Sequence, residues 1–487
     1  MTDLHHDRLF IGGDWVAPAT DARISVISPL TEEEIGSTPD GAPADMDAAV
    51  AAARSASDGD WGMATAAERA DVMDRLHALF LERSDEMAQL ITAEVGSPLL
   101  FSHFGQVGAS GMVLEYFAKL ARTFEFEEVR PGMLGPALVR HEAVGVCAGI
   151  VPWNVPLFTA MLKLAPALAS GSTMVLKPSP ETPLSAQVLA ELCVEAGVPA
   201  GVVNVVPAGR EAGHHLVTHP DVDKVSFTGS TAAGRKIGAA CGELLRRVTL
   251  ELGGKSAAIV RDDADLGTIM PELIASATMN NGQACVAQTR ILASRNRYDE
   301  VVEALTEAVA AIPVGDPADM ETGCGPLISD VQRERVEGYL QIGRDEGARV
   351  TTGGGRPDNF DRGWFVEPTV FADVDNSMRI AQEEIFGPVL AVIPVDDDDD
   401  AVRVANDSAY GLCGTVWTSD VDAGIDLARR VRTGTYTVNG FAMEWSAPFG
   451  GYKDSGVGRE LGPEGLAAFM EAKTINLPAE TEPTLKY

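Results

Sequence analysis

The chain has 487 residues, 45% of them apolar and 22% charged, which suits a globular protein of about three domains or lobes. Its formal net charge of -33 repels nucleic-acid phosphates and anionic lipid, so no nucleic-acid or membrane partner is expected. No apolar run reaches the ~18–20 residues that span a bilayer.

In chain order, the start MTDLHHDRLFIGG lacks the charged-then-apolar layout of a signal peptide, and the expected location is cytoplasmic. Residues 66–94 carry Val72, Leu76, Leu79, Phe80, Met87, Leu90 and Ile91 at a spacing near 3.6, which predicts one amphipathic helix. From residue 144 short apolar runs alternate with helical stretches: VGVCAGIV (144–151), TMVLK (173–177), VVNVV (202–206) and KVSFTG (224–229). Between them TPLSAQVLAELCVEAG (182–197) predicts a helix with a Thr182 cap and a glycine stop. This alternation predicts an α/β fold with a parallel sheet wound on both faces. A second alternating region runs from SAAIV (256–260) to about residue 438. The Asp396–Asp400 run reads as a solvated loop.

Six cysteines (147, 193, 241, 285, 324 and 413) are scattered, with no C-x-x-C and no nearby histidine cluster, so neither a metal site nor a disulfide framework is expected. The pairs His5-His6 and His214-His215 read as surface residues.

Several segments carry chemistry-bearing residues, each with a plain alternative. Cys285 in NNGQACV (280–286) is either a small buried residue or a nucleophile. VPWNVP (151–156) holds Asn154 between two prolines, either a turn amide or an oxyanion donor. Glu251 in LELGGKSA (250–257) sits in an apolar setting, either ion-paired or a base with a raised pKa. Lys177 in LKPSPETP (176–183) stands at a strand's C-terminal end, where open parallel sheets bind ligands. FTGSTAAGRKIG (227–238) and AGREAGHHL (208–216) are glycine-bearing strand-to-helix turns suited to phosphate, though neither matches G-x-G-x-x-G.

In this order and spacing the segments resemble the aldehyde dehydrogenase superfamily from about residue 8 to about residue 475. EEIFGPV (383–389), PFGGYKDSG (448–456) and GRELG (458–462) add to the match. The resemblance implies a dinucleotide-binding domain (1–124 and 146–252), a catalytic α/β domain (253–438), a small β oligomerisation arm (125–145 and 464–487) and a return segment (439–463). It implies oxidation of a small-molecule aldehyde to the acid with NAD, or NADP, and water. Cys285 would form a thiohemiacetal and then a thioester. Asn154 and the Cys285 N–H would hold the oxyanion, and Glu251 would activate water. Lys163 and Glu460 match positions assigned to a proton relay.

The resemblance further assigns Lys177 to the adenosine ribose and Ser230 with Gly229 to the pyrophosphate. Glu384 would hold the nicotinamide ribose and Phe386 its ring. Ile150, Trp153, Gly209, Gly213, Gly234 and Leu252 complete the implied cofactor site. A homodimer or homotetramer is implied. One position departs from the family pattern: Pro180 stands where many NAD-preferring members have glutamate, leaving NADP open. Glu251 favours hydrolysis over transfer to coenzyme A, and its presence with Cys285 argues against a catalytically silent relative.

The expected tunnel wall is Val155, Thr159, Leu162, Met279, Ala284 and Val286, with residues 441–449 at the mouth. That lining suits an uncharged aliphatic, terpenoid or aromatic aldehyde. Glu444 beside Trp445 keeps an amino-aldehyde as the alternative, with a semialdehyde behind it.

Overall fold

A computed structural model describes residues 4–485. Two α/β bodies each surround a mostly parallel sheet. In the first, an eight-stranded sheet has the order Gly456–Val457, Arg247–Glu251, Lys224–Thr228, Val146–Ile150, Thr173–Lys177, Val203–Val205, Leu9–Ile11 and Asp14–Val16. The five strands from Arg247–Glu251 to Val203–Val205 are mutually parallel. VCAGI and TMVLK are buried throughout. A strand covered by helices on both faces needs an unbroken apolar run, which is how these segments read.

The second body holds a seven-stranded sheet whose parallel centre is Thr369–Ala372, Val389–Val395, Arg290–Ser294, Ala257–Val260 and Gly414–Trp417. A separate three-stranded antiparallel sheet joins Glu127–Arg130 and Ala137–Ala143 to Met470–Asn476. Chain segments more than 300 residues apart thus meet in one small sheet.

Three local expectations change. Residues 66–94 form two helices, Ala66–Glu82 and Ser84–Val95, broken at Arg83. The guanidinium of Arg83 binds Glu86 and Glu191, tying the break to a neighbouring helix. The helix Leu184–Glu195 has Pro183 at its cap, and the Thr182 hydroxyl carries no hydrogen bond. Its first N–H groups are instead capped from a distance by Glu94: Leu184 and Ser185 donate to the carboxylate at 3.0 and 3.2 Å. The Asp396–Asp400 run is mostly the first turn of a helix, Asp398–Asn406, with Asp397 as its cap. Acidic side chains there meet the positive end of the helix dipole. His5 and His214 are exposed, while His6 and His215 are half-buried, and His215 lies 2.5 Å from Asp47.

No described helix is long and apolar enough to cross a membrane. Among the described residues no His, Cys, Asp and Glu cluster could hold a metal ion.

Candidate active site

Parallel strands that end on one edge bring their following loops together. Ile150, Lys177, Thr228 and Glu251 are the last residues of four adjacent strands. Trp153 and Asn154 follow the first of these, and Gly229 with Ser230 follows the third. Cys285 enters this edge from the second body, after the short helical turn Met279–Gly282.

The NNGQ run acts as a bracket for the turn that carries Cys285. Asn280 and Asn281 both adopt positive φ (53° and 60°), a conformation asparagine tolerates better than most residues. Their side chains are buried and bonded: Asn280 Nδ2 donates to Asn154 O at 2.9 Å, and Asn281 donates to Gly96 O and Pro326 O. Gln283 Oε1 accepts from Ile328 N–H at 3.1 Å. A Cβ on Gly282 would stand 2.2 Å from the Gly387 backbone. The Cys285 loop is therefore clamped from both sides.

Asn154 Nδ2 donates to Gln283 O at 2.7 Å, which orients the amide and leaves its second N–H for another acceptor. Burial pushes the Cys285 thiol up to about 12, with the Glu384 and Glu251 carboxylates adding to the shift. The thiol is therefore protonated until a base removes its proton.

Glu251 is buried, and no protein group hydrogen-bonds either carboxylate oxygen among the described residues. Burial holds its carboxyl well above the usual range, with the Glu460 charge acting in the same direction and Lys163 opposing it. Lys163 Nζ donates to Glu460 Oε1 at 2.8 Å and to Thr228 Oγ1 at 2.7 Å, in a pair almost wholly out of solvent. The expected nucleophile, base and relay residues thus converge on one sheet edge.

The expected cofactor residues lie along the same edge. Lys177 is buried, and its Nζ donates to Pro178 O at 2.9 Å. Burial pushes its pKa down to about 8 against the pull of Glu181 and Asp40. A Cβ on Gly213 would come within 3.0 Å of the Lys177 stem. Gly209 caps the helix Arg210–Thr218, and its N–H donates to Asp40 at 2.9 Å. Ser230 caps the helix Thr231–Glu243, its Oγ accepting from Ala233 N–H at 3.3 Å. The first N–H groups of that helix point out beside Gly229, a place suited to an anion.

A Cβ on Gly234 would strike Leu252 at 2.4 Å, so the glycine lets that leucine pack. Ile150 is buried at the strand end. Glu384 Oε1 accepts from Gly254 N–H at 2.9 Å, and a Cβ on Gly253 would stand 2.6 Å from its other oxygen. Trp153 and Phe386 meet edge to face, 5.3 Å between ring centres. These groups fit a dinucleotide: an ammonium for ribose hydroxyls, a helix start for phosphate, a carboxylate for the second ribose and two rings framing a slot.

Val155, Met279, Ala284, Phe441, Met443 and Trp445, like Cys285 itself, pack on the apolar core that includes Leu162 and Val286. Phe158 and Trp445 place their rings 6.0 Å apart. Thr159 turns its hydroxyl to Val155 O at 2.9 Å. Glu444 is exposed and accepts from Ser446 N–H and Oγ–H at 3.2 and 2.9 Å.

Two further buried polar groups, one beside this edge and one at the other end of the strands, escape a reading of the sequence. Gln106, in the π-helical segment Ser102–Gly108, donates to Asn154 O at 3.4 Å. Lys224, in KVSFTG, is buried with its Nζ on Thr249 Oγ1 at 2.7 Å. A lysine at the start of an apolar strand is the one local sign of the second.

Comparison with known proteins agrees with this arrangement. A family model described as the aldehyde dehydrogenase family matches residues 15–475. The chain is 49% identical over 476 residues to geranial dehydrogenase of Castellaniella defragrans, covering 97% of this chain and 99% of the relative. It superposes with a TM-score of 0.97 on a Mycobacterium tuberculosis aldehyde dehydrogenase complexed with NAD+, 51% identical, covering 99% and 100% of the two chains. A Pseudomonas syringae aldehyde dehydrogenase solved with NAD+ and octanal gives 0.95 at 41% identity, covering 98% of each chain. With a thiol, an oriented amide and a buried carboxylate on one edge, and with these matches over nearly its full length, the chain belongs to the aldehyde dehydrogenase family, and the reaction it serves is aldehyde oxidation.

Proposed function

We propose that the protein oxidises an uncharged, apolar aldehyde of the aliphatic or terpenoid class to its carboxylic acid, with NAD as the hydride acceptor. The apolar wall beside Cys285 carries this reading, together with Glu444 turned to solvent and Ser446. Likeness to a geranial dehydrogenase and to a structure holding octanal supports the same class. No arginine stands in the expected wall to hold a substrate carboxylate.

The Cys285 thiolate attacks the carbonyl carbon, and the oxyanion of the thiohemiacetal rests on Asn154 Nδ2 and the Cys285 N–H. One such donor is typically worth about 3 kcal/mol. Bound nicotinamide supplies a two-electron acceptor for the hydride that leaves this carbon. The remaining thioester takes water activated by Glu251; the C–S bond breaks and the acid departs. In sum, aldehyde, water and NAD+ give the acid, NADH and a proton.

Lys177, Gly209, Gly213, Gly229, Ser230, Gly234 and Leu252, with Ile150 and Trp153, hold the adenosine and diphosphate. Glu384 and Phe386 hold the nicotinamide end. The same reading divides the chain into a dinucleotide-binding domain, a catalytic domain and a return segment, and makes the three-stranded sheet the arm of a homodimer or homotetramer in the cytoplasm.

The test is absorbance of reduced nicotinamide with a panel of short and long aliphatic, aromatic, terpenoid, amino and semialdehyde substrates, each with NAD and NADP. Highest kcat/KM for apolar aldehydes is expected. Highest kcat/KM for a cationic amino-aldehyde would replace this reading.

A further inference from the structure

We propose that Lys224, with the hydroxyls of Thr249 and Ser226, forms the outer part of a buried proton path. The path leads from Glu251 and the Lys163–Glu460 pair to the opposite edge of the eight-stranded sheet. The proposal rests on Cys285 as nucleophile and Glu251 as base.

Side chains two apart on a strand share a face. Lys224, Ser226 and Thr228 therefore line one face of their strand. Thr249 and Glu251 line the same face of the next, since Ser226 pairs with Thr249 and Thr228 with Glu251. Hydrogen bonds join these side chains in two groups, with Ser226 and Thr249 side by side where the groups meet and Glu251 next to the first without a bond of its own. Lys163 donates to Thr228 and Glu460, Ser226 Oγ donates to Glu460 Oε1 at 3.4 Å, and Lys224 donates to Thr249 at 2.7 Å. All but Thr228 are buried.

At the far end, Lys224 lies opposite Arg247. The Arg247–Glu471 pair is about half exposed, which brings the stripe to solvent. The Phe469 ring sits 4.7 Å from Lys224 Nζ, with its face toward the ammonium.

Burying a lysine is costly unless it is paired or serves something. Packing alone would be met by methionine. The charged or titratable groups that act on Lys224 are Cys147, Glu460, Lys163 and Arg247. Burial brings its pKa down to about 8, so it takes and gives a proton near neutral pH. Turnover demands such an outlet. Glu251 takes the thiol proton and one proton of the attacking water; one of these returns to the Cys285 sulfur when the C–S bond breaks, and the other must leave a pocket where both Cys285 and Glu251 hold protons strongly. No electron moves along this route; each hydroxyl accepts one proton and passes another on.

The experiment compares Lys224→Met, Lys224→Arg and Thr249→Val with the full-length protein. It measures the pre-steady-state burst of reduced nicotinamide, kcat from pH 6 to 10 and the solvent deuterium isotope effect on kcat. Both Lys224 variants should keep the burst and lose about tenfold or more in kcat, a modest share of a typical proton-transfer contribution. The pH midpoint should move and the isotope effect should grow. Arginine keeps the charge but does not release a proton, so it should not restore kcat. Thr249→Val should change kcat in the same direction, and it decides the matter where the Lys224 variants do not fold. An unchanged pH profile and isotope effect, or full restoration by arginine, would overturn the path. Normal turnover by Cys285→Ala would instead overturn the reaction reading on which it rests.

Discussion

Gly450 stands directly against Glu251: a Cβ at Gly450 would lie 2.6 Å from Glu251 Oε1. Its φ of +152° also disfavours any side chain. Gly450→Ala should therefore shift the carboxylate more than the sulfur. A displacement near 1 Å can cost ~10²-fold. The expected outcome is a preserved burst with kcat lowered by about that factor. Equal losses in burst rate and kcat would show that the glycine shapes the acylation step instead.

Glu251→Gln removes the base but keeps its shape. We expect a single burst of reduced cofactor followed by a stall, with kcat down by ~10²–10⁴. The pH dependence has a definite sign. Burial raises the carboxyl's pKa, so the carboxylate fraction, and with it kcat, rises with pH through that raised value. In Glu251→Gln this rise should vanish. Stopped-flow absorbance across pH reads both effects.

Cys285→Ala should abolish oxidation while cofactor binding, read by fluorescence titration, persists. Asn154→Ala should keep the thiol reactive to iodoacetamide yet reduce kcat by ~10²–10³, the loss of one oxyanion donor. An Asn154→Ala variant within threefold of the parent would remove that role.

Pro180→Glu should lower kcat/KM for NADP more than for NAD, because an added carboxylate beside Lys177 repels the extra phosphate. Asp40 and Glu181 already act on Lys177. The parent is thus expected to favour NAD before the change. An unaltered NAD to NADP ratio would clear position 180 of any part in the preference.

Glu94 gives a prediction about stability. Its buried carboxylate caps the helix Leu184–Glu195, and burial raises its pKa to about 7. The folded value lies above the unfolded one, so this group's stabilisation is full below pH ~4.5 and is lost as pH rises toward 7. At 1.36 kcal/mol per unit that loss is about 3 kcal/mol. Glu94→Gln should show a smaller fall in Tm between pH 5 and 8 than the parent. Parallel curves would mean that Glu94 does not titrate in this range.

The strands of the first sheet were legible because a strand buried on both faces must be apolar without interruption. Cys285, Glu251 and Asn154 were legible because their neighbours are local: glycines, prolines and amides whose spacing shows in the chain itself. The Asp396–Asp400 run misled because a row of like charges reads as solvated, whereas its first carboxylates serve a helix dipole.

Short-range patterning sufficed for the alternating architecture, the Cys285 loop and the family resemblance, since each depends on residues close in the chain. Tertiary packing set the cap of Leu184–Glu195 by Glu94 and the bracket of the NNGQ turn by Gly96, Pro326 and Ile328. It likewise decided the stripe that joins Lys224 to Glu460. Those arrangements join residues from tens to more than two hundred positions apart, and only sheet register and burial determine which polar groups meet.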